Sequence, residues 1–128
     1  MKNLRTYLNL TVACFVLAGC TSLYQGTVTF TKVVKAAQEE YAILYNDGLV
    51  SAPLHEKVSQ AHDKWRVAAG IGKRALQKYK ETGDQSQYVA ALEGVREAAT
   101  GFVNLVVPLL TTSKAEDLKK DLSKATDL

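Results

Sequence analysis

The chain has 128 residues, with 16 Lys and Arg against 13 Asp and Glu, a formal net charge of +3. That length is one domain's worth, and so small a positive excess implies neither nucleic-acid binding nor strong membrane steering. Its only cysteines are Cys14 and Cys20, too few for a framework of several disulfides.

The first segment reads as a targeting sequence. Lys2 and Arg5 give a positive start, and Leu8 to Leu17 is apolar except for Asn9 and Thr11. A stretch this short falls below the roughly 20 apolar residues that a membrane-spanning helix needs, but it has the length of a signal-peptide core. Leu17-Ala18-Gly19-Cys20 follows at once. This run resembles the lipobox of bacterial lipoproteins. The resemblance implies that residues 1–19 are a signal peptide, that Leu17, Ala18 and Gly19 are read by the signal peptidase, and that Cys20 carries a diacylglycerol with a further acyl chain on its amine. More than one acyl chain is what stable anchoring requires. It also implies a place in the cell envelope. Thr21, not Asp, follows the cysteine, which by the same resemblance favours the outer membrane, facing the periplasm, in a Gram-negative host. Cys14 would leave with the signal and Cys20 would be consumed by lipid. Residues 20–27 are then expected to be a short tether and residues 28–128 the folded domain.

Three apolar ladders at helical spacing organise that domain. The first is Phe30, Val34, Ala37, Tyr41 and Leu44, stopped by Asn46-Asp47-Gly48, where glycine suits a left-handed cap. Its start is ambiguous, because Thr27 to Val34 is β-branched and alternating. The second is Leu54, Val58, Ala61, Trp65, Ala68, Gly72, Ala75 and Tyr79, with Ser51 placed to cap it, Pro53 in its first turn and Gly83 to close it. The third is Tyr88, Leu92, Val95, Ala99, Phe102, Val106 and Leu109, with Asp84 and Gln87 spaced as a capping box. Ser113-Lys114-Ala115-Glu116 has the same form and predicts a short last helix with the stripe Ala115, Leu118, Leu122 and Ala125. Short links near 47–51 and 82–84 force antiparallel neighbours. The expected fold is all-α: an up-down-up three-helix bundle, gently left-handed in its supercoil, with a short amphipathic fourth helix at its C-terminus.

The second ladder is poor in side-chain bulk at Ala68, Ala69, Gly70, Gly72 and Ala75. Glycine within a helix costs about 1 kcal/mol relative to alanine, so close packing must offset it. A tight seam within the chain is the expected use, with Tyr41, Trp65 and Phe102 as the bulk opposite; a dimer face is the competing one.

Chemistry-bearing residues are sparse. His55 and His62 stand seven apart, about 10 Å along a helix axis, too far for one ion without acids such as Glu39 or Glu40 from another helix. Gly70-Ile71-Gly72-Lys73-Arg74 lacks the glycine a phosphate loop needs at position 67, which is Val67, and lacks a hydroxyl after Lys73. Glu39, Glu40, Glu93 and Glu97 have no Glu-x-x-His companions for a di-metal bundle. The sequence therefore points away from an enzyme, from a cofactor beyond the acyl chains on Cys20, and from nucleic acid.

Two surfaces remain as candidates for interaction. Arg66, Lys73 and Lys80 form a basic stripe at seven-residue spacing, suited to anionic headgroups or an acidic partner. Gly101 to Leu110 is almost wholly apolar, and Phe102, Val106 and Leu110 are its candidate contact residues unless the fourth helix folds over it. The whole reading is a membrane-tethered, non-catalytic helical module that binds another envelope protein or itself as a homodimer. The body resembles small helical lipoproteins of proteobacteria and their phages, with no motif carried over. The alternatives are an exclusion or immunity lipoprotein acting against a phage or toxin, and a periplasmic metal-binding bundle using His55 and His62.

Overall fold

A computed structural model describes residues 25–126, which are all-helical: four helices, one short 3-10 turn and no strand among the described residues. The expected signal peptide, residues 1–19, with Cys20 and the expected tether as far as residue 24, lies outside the described residues. Helix α1 occupies residues 25–46, α2 Ala52–Thr82, α3 Ser86–Val106 and α4 Thr112–Thr126, with the 3-10 turn Val107–Leu109 between the last two.

The β-branched run from Thr27 to Val34 is helical, because Phe30, Val33 and Val34 all bury in the core, and burial outweighs a weak intrinsic preference. Residues 25–27, expected in the tether, are helical too. Gly26 is buried and Thr27 Oγ1 lies 3.0 Å from Tyr88 Oη. The end of α1 is a Schellman cap: Gly48 has φ 74°, its N–H donates to Tyr45, and the Leu49 N–H donates to Leu44.

Helix α2 has 31 residues, about 46 Å at 1.5 Å per residue. Ser51 Oγ accepts from the Leu54 N–H at 3.4 Å, Pro53 sits in the first turn, and Gly83 closes the helix with φ 75°. Val58, Trp65, Gly72 and Tyr79 are buried, with Leu54, Ala61, Ala68 and Ala75 half-buried beside them. This is the ladder the sequence predicts.

The two predicted capping boxes do not form as drawn. The residue capping α3 is Gln85, which makes no side-chain cap bond; Asp84 instead accepts from Ser86, N–H at 3.0 Å and Oγ at 2.8 Å. The tight turn after Gly83 brings Asp84 to Ser86 before it can reach Gln87. At α4 the first helical bond runs from the Ala115 N–H to the Thr111 carbonyl, 2.9 Å. Ser113 therefore lies inside the first turn. The chain leaves the Val107–Leu109 turn through an extended Leu110 and begins helix at once, two positions early. Pro108 does end α3, as its missing N–H requires.

One apolar cluster ties the elements together. It includes Phe30, Val34, Ala37 and Tyr41 from α1, Val58 and Trp65 from α2, Val95, Ala99, Phe102, Val103 and Val106 from α3, and Ala115, Leu118 and Ala125 from α4. Contacts between α2 and α3 pair late residues of one with early residues of the other. The Tyr79 and Tyr88 rings stack at 6.0 Å, and the His62 ring meets Phe102 at 5.7 Å. Helix α4 packs on α3 and the 3-10 turn, and Lys114 Nζ donates to Glu40 Oε2 of α1 at 2.9 Å.

Candidate functional site

The candidate residues fall into three places. Leu17, Ala18, Gly19 and Cys20 lie outside the described residues. Arg66, Lys73 and Lys80 are all exposed on α2. Phe102, Val106 and Leu110 do not form the surface expected of them: Phe102 and Val106 are 1% and 0% exposed, inside the core, and Leu110 is half-buried. The apolar stretch they belong to is covered within the chain. Ala115, Leu118 and Ala125 of α4 join Val103, Val106 and Val107 in one cluster, so the fourth helix supplies the cover that a helix apolar on every side needs.

The basic residues of α2 are unevenly placed. Up to Trp65, Lys57 and Lys64 balance Glu56 and Asp63; from Arg66 onward come Lys73, Arg74, Lys78 and Lys80 with Glu81 as the lone acid. All of these cations are exposed. The positive charge of the helix thus belongs to its C-terminal half.

The small-residue stretch of α2 is a seam within the chain at Gly72. A methyl group there would lie 2.8 Å from Val95 Cγ2 and 3.9 Å from Thr27 Oγ1, so α1, α2 and α3 converge on this glycine. Gly94 and Gly101 of α3 differ: a methyl at either would meet nothing within 4 Å. They line an open groove of about 530 Å³ between α2 and α3, with Ala61, Lys64, Ala98 and Leu105.

The histidines do not form a pair. His55 Nδ1 lies 2.5 Å from Tyr41 Oη, and its ring stacks on Tyr45 at 4.2 Å and 19°. Tyr41 and Tyr45 are one turn apart on α1 and meet the first turn of α2 because the Gly48 cap reverses the chain. Burial of the Tyr41 hydroxyl, helped by the neighbouring Tyr45, raises its pKa. His62 leans on Phe102. The spacing of Tyr41 and Tyr45 was a visible signal for this cluster; its partner His55 emerges only once the helix hairpin closes. No group of three or more His, Cys, Asp or Glu side chains converges among the described residues. Of the acids, Glu40 pairs with Lys114 and Glu93 with Arg96. No charged side chain is buried among the described residues.

No protein-family model, curated protein or solved structure matches the chain.

Proposed function

We propose that the chain is a bacterial lipoprotein, exported, cleaved before Cys20 and held on an envelope membrane by acyl chains on that residue. The folded body is then a non-catalytic interaction module working close to the membrane, the outer membrane facing the periplasm in a Gram-negative host, with an envelope protein or a second copy as partner. The observation that carries this reading is the order of its first twenty residues: cations, apolar core, then Leu17-Ala18-Gly19-Cys20. No helix among the described residues is long and apolar enough to cross a membrane, so on this reading the lipid does the anchoring.

The body is read as an up-down-up bundle of α1, α2 and α3 with α4 laid against it. The pairing of Tyr41 with His55, of Thr27 with Tyr88 and of Tyr79 with Tyr88 supports that order. So do the short links, each closed by a glycine in the left-handed conformation, Gly48 and Gly83.

Replacing Cys20 tests the reading. Wild-type protein should fractionate with envelope membranes and partition into detergent; Cys20→Ser should accumulate uncleaved and lose acyl label. Equal labelling of both would contradict it. Cross-linking in envelopes should then trap one dominant partner or a homodimer, and a lone monomer would speak against the interaction role.

A further inference from the structure

We infer that the C-terminal half of α2 is a docking face for anionic phospholipid headgroups, apposed to the same membrane that holds Cys20. The inference rests on the lipoprotein reading and adds an orientation and a lipid preference to it.

Geometry places this half of α2 at the anchored end. Thr27 lies against Gly72 and Tyr88, while Tyr41, later in α1, lies against His55, earlier in α2. Going back along α1 toward Cys20 is therefore going forward along α2 toward Thr82. Five residue steps lead from Cys20 to Gln25, the first described residue of α1, at most about 18 Å of chain. Over the same direction α2 advances about 15 Å from Gly72 to Thr82 at its helical rise. The anchor cannot hold the bundle by that end without bringing the α2–α3 corner near the bilayer surface.

Charge then favours contact. Lys73, Arg74, Lys78 and Lys80 are exposed on this segment, opposed by Glu81 and by Asp84 in the following turn. The far end is not basic: the close of α1 carries Glu39, Asp47 and Glu40, the last paired with Lys114, and the first half of α2 is balanced. A bilayer rich in anionic lipid attracts a juxtamembrane Lys or Arg by about fivefold in population each, and the attraction fades within about 8 Å at physiological salt. The tether supplies the proximity that so short a range demands.

The test uses mature lipidated protein in vesicles, labelled with a fluorophore at Gln85→Cys in the α2–α3 turn or at Asn46→Cys at the opposite end. Quenching by a headgroup-attached quencher is compared in pure phosphatidylcholine and with about a third phosphatidylglycerol. The expected result is strong quenching at position 85 and weak quenching at 46, the contrast growing with phosphatidylglycerol and collapsing in high salt. Lys73→Gln with Arg74→Gln and Lys78→Gln should cut the apposed population on the order of a hundredfold. Lys119→Gln with Lys120→Gln and Lys124→Gln on α4 should not change it. All variants are first shown to keep wild-type helicity. Failure to associate with neutral vesicles would refute the anchor and this inference together. Association with neutral vesicles, but quenching at position 85 indifferent to phosphatidylglycerol, would overturn the inference and leave the anchor standing. An acid-rich protein cross-linking to Lys73 in place of lipid would overturn it too.

Discussion

Gly72 of α2 faces Val95 of α3 so closely that a methyl group on the glycine would stand 2.8 Å from Val95 Cγ2. Val95 is fully buried and β-branched, so it has little freedom to withdraw. Gly72→Ala gains about 1 kcal/mol of helix propensity and loses about 1–3 kcal/mol to overpacking. The expected outcome is net destabilisation by about 1 kcal/mol, read from urea denaturation. Gly94→Ala and Gly101→Ala, with open space around them, should instead stabilise by up to about 1 kcal/mol each. A stabilising Gly72→Ala would show that the seam is looser than described.

Phe102 is 1% exposed beneath His62. Phe102→Ala should cost about 3–5 kcal/mol, a large part of the total of about 5–15 kcal/mol for a domain of this size. Exposed Val67, at 64%, sets the contrast: Val67→Ala should change stability by less than about 0.5 kcal/mol. Equal effects of the two would contradict the placement of the core.

Helix α4 packs on α3 and the 3-10 turn, in one apolar cluster with Val103, Val106 and Val107. A chain ended after Thr111 should keep helical circular dichroism but bind a hydrophobic dye and self-associate, as an uncovered apolar face does. A truncated chain that stays monomeric and dye-silent would show that the cover is dispensable. Lys114→Ala should have little effect, because its pair with Glu40 is exposed and such pairs contribute about 0–1 kcal/mol.

Tyr41 and Asp84 contribute to the response to pH. Burial, with Tyr45 nearby, holds the Tyr41 pKa above its ordinary value. Its contribution to stability is complete below that ordinary value and is lost as pH rises through the raised one. Melting temperature should therefore fall in alkali more steeply for wild type than for Tyr41→Phe. Near neutrality Tyr41→Phe should cost about 1 kcal/mol, since His55 Nδ1 loses its hydrogen bond. Asp84 behaves oppositely. The Ser86 N–H and hydroxyl, and then Lys78, hold its carboxyl below the usual range, so what it contributes is present above the ordinary carboxylate pKa and fades as pH drops through the lowered one. Asp84→Ala should flatten the acid limb of the melting profile, and parallel limbs would contradict the contact between Asp84 and Ser86.

Helical ladders were legible because burial recurs with the helix period: Val58, Trp65, Gly72 and Tyr79 fall every seven residues and are all buried. Glycine stops were legible too, since Gly48 and Gly83 hold the left-handed conformations their positions suggested. Phe102 and Val106 were left open between core and contact surface because an all-apolar stretch reads alike whether its own chain or a partner covers it; the answer lay in where α4 returns. Capping at Asp84 and Ser113 was misread by one or two positions, as these depend on turn geometry and not on spacing. Tyr41 with His55 and Thr27 with Tyr88 required the alignment of separate helices, which no single ladder encodes. Of the candidate sites, Arg66, Lys73 and Lys80 are exposed on α2, while which end of the bundle the neighbouring Arg74 and Lys78 occupy needed the fold.

The account turns on covalent chemistry at Cys20, and intact-mass analysis of the protein purified from envelopes reads that chemistry directly. The account predicts a chain beginning at Cys20 and heavier than its amino acids by a diacylglycerol and an amide-linked acyl chain. A mass corresponding to a chain starting at Met1, or to one with a free thiol on Cys20, would contradict it.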